Sequence, residues 1–324
     1  MTDGPDWARP DPQPTPPPNM PPPPPGWAAE VAKPGVIPLR PLGVGEILDG
    51  AITTMRRHPK LTLGIAAVVV LVSELITLAL TLPWLDDVNR AVDQSTPPDV
   101  AADVLVKSLG VTGIAVLVTL IAQVFLSGFL TVVVGKAVLG RPTSFREEWA
   151  RVRPRLPALL VMTLIYIGVA VGAVLIAALI AAAVPPLAPV VAIGLIVVGI
   201  WLLILFSLST PALMLENATI GRAFGRSRRL VRGSWWRIFG ITLLTWLISV
   251  IVALIITLPF QLIGGAYNEA TATSTTAIIL GTIGGIIAGT ITDPFAAGVT
   301  VLLYTDQRMR REGMDIELAR AAQQ

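Results

Sequence analysis

Six apolar runs, separated by short polar and basic stretches, organise this chain: roughly 61–82, 109–139, 159–184, 190–214, 238–263 and 276–303. Each meets the ~20 residues that an α-helix needs to cross ~30 Å of hydrocarbon. Lys136, close to the end of the second run, is the one Lys or Arg inside any of them. The pattern predicts an all-α integral membrane protein with six transmembrane helices.

A second pattern repeats in the polar stretches. Before each odd-numbered run lies a short, basic, amphipathic segment. The first, over 45–60, sets Ile47, Leu48, Ala51, Ile52 and Met55 on one face and ends in Arg56, Arg57 and His58. The second places Phe145, Trp149 and Val152 at helical spacing among Arg146, Arg151, Arg153 and Arg155. The third places Phe224, Ser227 and Val231 among Arg222, Arg226, Arg228, Arg229 and Arg232. Each ends at a helix breaker: Pro59, Pro154 or Gly233. One apolar and one cationic face is the pattern of a helix lying in the headgroup plane. The spans therefore read as three hairpins, each preceded by an interfacial amphipathic helix. The competing explanation is that any Arg-rich loop looks amphipathic. On the first reading Arg56, Arg57, Arg151, Arg153, Arg155, Arg226, Arg228, Arg229 and Arg232 are candidate contacts for anionic lipid headgroups.

The distribution of charge orients the bundle. Of 24 Lys and Arg, 22 fall before residue 61, across 136–158, across 215–237 or after 303. Arg90 and Lys107 alone fall on the other side. The positive-inside bias then puts both termini in the cytoplasm. A chain that is 53% hydrophobic and 14% charged is not a soluble domain. Its basic balance reports membrane orientation and gives no reason to expect a nucleic-acid partner. Arg outnumbers Lys 20 to 4, which with the Ala/Val-rich spans suggests a GC-rich bacterial genome and so a bacterial cell membrane. No apolar segment precedes Leu61 that would serve as a cleaved signal.

Three segments result: a tail over 1–38, a membrane domain over 39–304 and a C-terminal tail over 305–324. Residues 1–38 hold 14 of the 28 prolines, with Pro21 to Pro25 in succession. Such a segment buries too little apolar surface to offset its ordering entropy and is expected to be disordered. It is either a polyproline strip gripped by a cytoplasmic partner, with Trp7 or Trp27 as anchors, or a solvated spacer.

Catalytic chemistry is hard to assemble from these residues. There is no Cys, and His58 is the single His, so neither a zinc-thiolate site nor a His cluster is available. No phosphate-binding Gly-rich loop appears, no cofactor is implied, and no catalytic residue is assigned. The loop over 83–108 carries Asp86, Asp87, Asp93, Asp99 and Asp103, which reads as a solvated acidic loop before it reads as a cation site.

Inside the spans, polar side chains are expensive and mark function by default. Three stand out: Glu74 in the first run, Gln123 in the second and Asp293 in the sixth. Ser73, Thr77 and Thr81 accompany Glu74. Gly281, Gly285 and Gly289 lead to Asp293 in the small-xxx-small pattern of close helix contact. The spacing suggests a proton or cation site between spans one, two and six. Asp293 also precedes Pro294, so it serves equally as the cap of a broken helix.

Several motifs in order resemble bacterial multi-span proteins related to the membrane domain of glycerophosphoryl diester phosphodiesterase. They are PLRPLGVGEILDG from Pro38 to Gly50, PALMLE from Pro211 to Glu216, AFGRSRRLVRGSWWR from Ala223 to Arg237, and LYTDQRMRREGMD from Leu303 to Asp315. The resemblance implies a multi-span membrane module. It does not imply phosphodiesterase chemistry, because that catalytic unit is a separate TIM barrel of ~250 residues and no segment between spans here approaches that length. The sequence thus favours a non-catalytic membrane scaffold or lipid-associated module. The alternative is a secondary transporter or channel that uses Glu74 and Asp293.

Overall fold

The computed structural model describes residues 36–38, 40–85, 98–138, 140, 143–265 and 274–313. Ten α-helices account for nearly all of them, and there is no strand among the described residues. They are α1 (Val44–Arg57), α2 (Pro59–Thr81), α3 (Pro98–Val138), α4 (Phe145–Val152), α5 (Leu156–Ala183), α6 (Ala188–Phe206), α7 (Ser209–Leu215), α8 (Ile220–Val231), α9 (Trp235–Gly264) and α10 (Thr275–Glu312). Six helical stretches are long and apolar enough to cross a membrane: α2, α3, α4 with α5, α6 with α7, α9 and α10. The chain is a multi-pass membrane protein.

Helix α10 is the pillar of the bundle. It packs most extensively on α9, and also on α2, α1 and α3. Among the remaining spans, α2 lies on α3 and α5 on α6. The close approach of α1 depends on glycines. A Cβ on Gly50 would stand 2.9 Å from Ile37 and Leu302, and one on Gly298 would stand 3.1 Å from Ala51. The interior is richest where the helices bear their basic residues, with Leu42, Ile47, Phe129, Leu208, Leu213, Leu230 and Tyr304 fully buried there. Bonds among residues 42, 237, 306 and 310 place the start of α1, the start of α9 and the end of α10 at this one basic end.

Three boundaries differ from those the sequence predicts. The fourth apolar run is not one helix. It breaks at Ser207 and Leu208, because Pro211 has no N–H to give the Ser207 carbonyl and its ring crowds that position. Ser227 of α8 enters the gap, accepting from the Leu208 N–H at 3.2 Å and donating to the Leu205 carbonyl at 2.8 Å. Helix α3 begins at Pro98, well before the apolar run, with Pro at its first position, where the missing N–H costs nothing.

The third difference concerns the ends of the membrane domain. Helix α10 passes through Pro294 without a break, so Asp293 is not a helix cap. It then continues to Glu312 and buries Thr305, Asp306 and Gln307, which the sequence assigns to a tail. At the other end packed structure is already present before residue 39: the Val36 N–H donates to the Ala137 carbonyl at 3.3 Å, and Ile37 is buried. The rest of the Pro-rich stretch lies outside the described residues.

Candidate functional site

Glu74, Gln123 and Asp293 do converge. They line one cavity of about 170 Å³ between α2, α3 and α10, together with Ser73, Thr119, Gly285 and Gly289. Gln123 Nε2 donates to Asp293 Oδ2 at 2.7 Å, joining α3 to α10. At 1.5 Å per residue, all three lie roughly 20 Å from the basic end, deep within the hydrocarbon. The glycine line before Asp293 is divided: a Cβ on Gly289 would stand 3.1 Å from Val70, so this glycine brings α10 close to α2. A Cβ on Gly281 or Gly285 would meet nothing within 4 Å. These glycines keep space open. The close seam is formed by Gly284, whose Cβ would stand 3.2 Å from Thr257, and by Gly264 against Ala277 at 2.9 Å. A cavity of that size with two carboxylates and an amide has room for a few waters and provides acceptors for a proton or a small cation.

A larger polar assembly at the basic end is absent from the sequence reading. Asp306 is fully buried and accepts from the Leu42 N–H at 2.8 Å, from Arg237 Nη1 at 3.0 Å and from Arg310 Nε at 2.9 Å. The same two arginines donate to the Leu42 carbonyl, each at 2.8 Å. Both backbone groups of Leu42 are thus held by side chains of α9 and α10. Beside this clasp, Glu216 accepts from Arg226 Nε at 3.0 Å and from the Tyr304 hydroxyl, and Arg226 Nη1 meets Glu312 at 2.6 Å. A third pair joins Lys136 Nζ to Glu148 at 2.6 Å. Glu148 is fully buried, and its oxygens receive this charge without a well-aligned hydrogen bond.

These pairs divide the arginines of the amphipathic stretches. Arg226 turns inward, although the sequence places it on the cationic face. Burial opposes its charge, but Glu216 together with Glu312 outweighs this and holds its pKa above the ordinary guanidinium range. Arg155 also points at the protein, donating to Asn217 Oδ1 at 3.1 Å. Arg56, Arg57, Arg151, Arg153, Arg228, Arg229 and Arg232 are exposed. Helix α1 buries Ile47, Ala51 and Thr54, α4 buries Val152, and α8 buries Ala223, Ser227, Leu230 and Val231. No signal within a single loop distinguishes Arg226 from Arg228; the difference is the helix phase, which puts Arg226 opposite Glu216.

Fold and site together define a helical, multi-pass membrane protein with a polar cavity among three spans and a network of ion pairs at one end. More specifically, the chain belongs to the family described as Domain of unknown function (DUF7847), whose model matches residues 42–307. The matched stretch opens on Leu42 and closes one residue past Asp306, the two ends of the clasp. No curated protein matches the chain. No solved structure matches it either.

Proposed function

We propose that the protein is a non-catalytic, lipid-associated membrane module. It is built from three units of amphipathic helix plus hairpin and lies in a bacterial cell membrane with both termini in the cytoplasm. The observation that carries this is shared by α1, α4 and α8. Each packs apolar side chains inward and leaves arginines exposed at the same end of the bundle. Exposed Lys and Arg beside an anionic leaflet contribute ~1 kcal/mol each, weakened by salt. The resemblance to the membrane domain of glycerophosphoryl diester phosphodiesterase supports a module role without phosphodiester hydrolysis. The Pro-rich tail would supply a docking strip for a cytoplasmic partner. Replacing Arg228, Arg229 and Arg232 together with Gln tests the reading. Anionic lipid carried through purification should fall while neutral lipid does not. Unchanged retention at low salt would reduce these arginines to topology signals.

One observation favours a second reading, a secondary transporter or channel: the Gln123–Asp293 bond and Glu74 share a single cavity. On this reading Glu74→Gln and Asp293→Asn each abolish proton or cation flux in liposomes while the protein still folds, since both keep shape and hydrogen-bonding capacity. Wild-type liposomes without flux under any imposed gradient would remove it.

A further inference from the structure

A groove opens on the side of the bundle away from the polar cavity. It has a volume of about 590 Å³ and lies between α1 and α2 on one wall and α9 and α10 on the other. That is within the ~300–1,000 Å³ of small-molecule sites. Its walls are almost wholly apolar, with Leu48, Ile52 and Met55 from α1 facing Ile248, Val252 and Phe295. The edge of α1 that turns toward it is therefore an apolar edge that the bundle does not bury; Ile52 is 39% exposed. One charged residue lines the groove. Arg56 lies in the last turn of α1 at the basic end, is exposed, and makes no ion pair or hydrogen bond with the described residues.

From the basic end the groove runs inward. Arg56 and Pro59 mark its mouth, and Val252 lies 17 residues along α9 from Trp235. At 1.5 Å per residue the α9 wall from Ile248 to Val252 sits roughly 20–25 Å from the start of that helix, well inside the bilayer core. An apolar slot that starts at an unpaired cation and runs inward from the headgroup level fits an amphiphile with an anionic head and a long hydrocarbon chain. A second protein helix would cover the slot but leave Arg56 without an anion.

We propose that this groove is a specific site for one anionic phospholipid of the surrounding bilayer, its phosphate on Arg56 and an acyl chain between α2 and α9. The inference rests on the lipid-associated reading above and narrows it to one place. Arg56 anchors the phosphate as a charge-assisted contact, and Arg57 and Lys60 add to the local positive potential.

The test uses the full-length protein in nanodiscs containing phosphatidylglycerol or phosphatidylcholine, each with a photoactivatable group midway along one chain. Cross-linked peptides are mapped by mass spectrometry. The α9 and α10 peptides bearing Ile248, Val252 and Ile291 should be labelled about fivefold more by phosphatidylglycerol, the preference one Lys or Arg near an anionic surface produces. Arg56→Gln, an exposed change that leaves packing intact, should bring the two lipids level, whereas Arg222→Gln, at an exposed arginine that does not line the groove, should not. Val252→Trp should block labelling by both. Equal labelling of the wild type, or an unaltered preference in Arg56→Gln, would overturn the groove. A native dimer that Val252→Trp dissociates would assign it to a second copy of the chain and overturn it as well. The broader reading fails separately, if purified wild type retains no excess of anionic lipid anywhere; excess that maps only outside the groove overturns this site alone.

Discussion

Asp306 accepts the backbone N–H of Leu42 across 264 positions of chain, at 2.8 Å and out of contact with solvent. Two arginines close over the pair, so a single carboxylate joins the segment leading into α1 to α10. Removing it strands two guanidiniums, each about one-third exposed, and a buried N–H. Breaking a fully buried pair costs ~3–5 kcal/mol; with that exposure, Asp306→Ala should cost roughly 2–4 kcal/mol. Asp306→Asn keeps an acceptor for Leu42 and should cost less. Thermal unfolding in detergent, followed by the intrinsic fluorescence of the tryptophans, gives the order; equal midpoints for the wild type and Asp306→Ala would show that the clasp carries no stability.

Lys136 and Glu148 call for a double-mutant cycle. The amine is 14% exposed and its carboxylate partner is wholly buried, so screening by salt should be weak. Lys136→Met alone leaves a buried uncompensated charge and should cost ~3–5 kcal/mol. Adding Glu148→Gln should recover most of that loss, giving a coupling energy of ~1–3 kcal/mol. Additive single effects would mean the pair interacts no more strongly than two surface charges.

Ser227 is the hinge pin of the broken fourth span. Ser227→Ala leaves a buried N–H at Leu208 and an under-satisfied carbonyl at Leu205, a loss of ~1–3 kcal/mol. Hydrogen exchange should quicken first in the 205–212 segment. Uniform exchange across α6, α7 and α8 would mean that the serine is not the local lock.

The glycines separate two kinds of site. Gly264→Ala must push α9 from α10, because its Cβ would stand 2.9 Å from the Ala277 backbone. An overpacking loss of ~1–3 kcal/mol follows. Gly285→Ala meets open space and should be neutral or stabilising by up to ~1 kcal/mol through helix propensity. A reversed order in unfolding midpoints would contradict the placement of the seam.

The spans were legible because hydrocarbon imposes one requirement, a long apolar run, and nothing else in the chain mimics it. Glu74, Gln123 and Asp293 were legible for the same reason, as polar residues in apolar surroundings. The clasp was not. Asp306 stands among basic residues near the chain's end and looks like tail composition, and its significance depends on Leu42 and Arg237, which are remote in sequence. The close contacts were legible in part: of the series Gly281, Gly285 and Gly289 only Gly289 meets a neighbour, Val70 of α2, whereas the contact with α9 is made by Gly284, outside the series. The break at Ser207 had a local signal in Pro211, hidden within a run that is apolar from end to end.

The pillar of this bundle is synthesised after the five other described spans. Helices α1, α2 and α9 all find their main partner in α10, and Leu42 waits for a carboxylate made 264 residues later. At ~5–20 residues per second the ribosome takes on the order of tens of seconds to supply it. Until then the earlier helices sit in the membrane with their α10-facing sides open, and Arg237, made 69 residues before Asp306, is unmatched. Packing of these helices therefore waits for α10, and a chain released short of Asp306 leaves those faces open to the quality-control machinery.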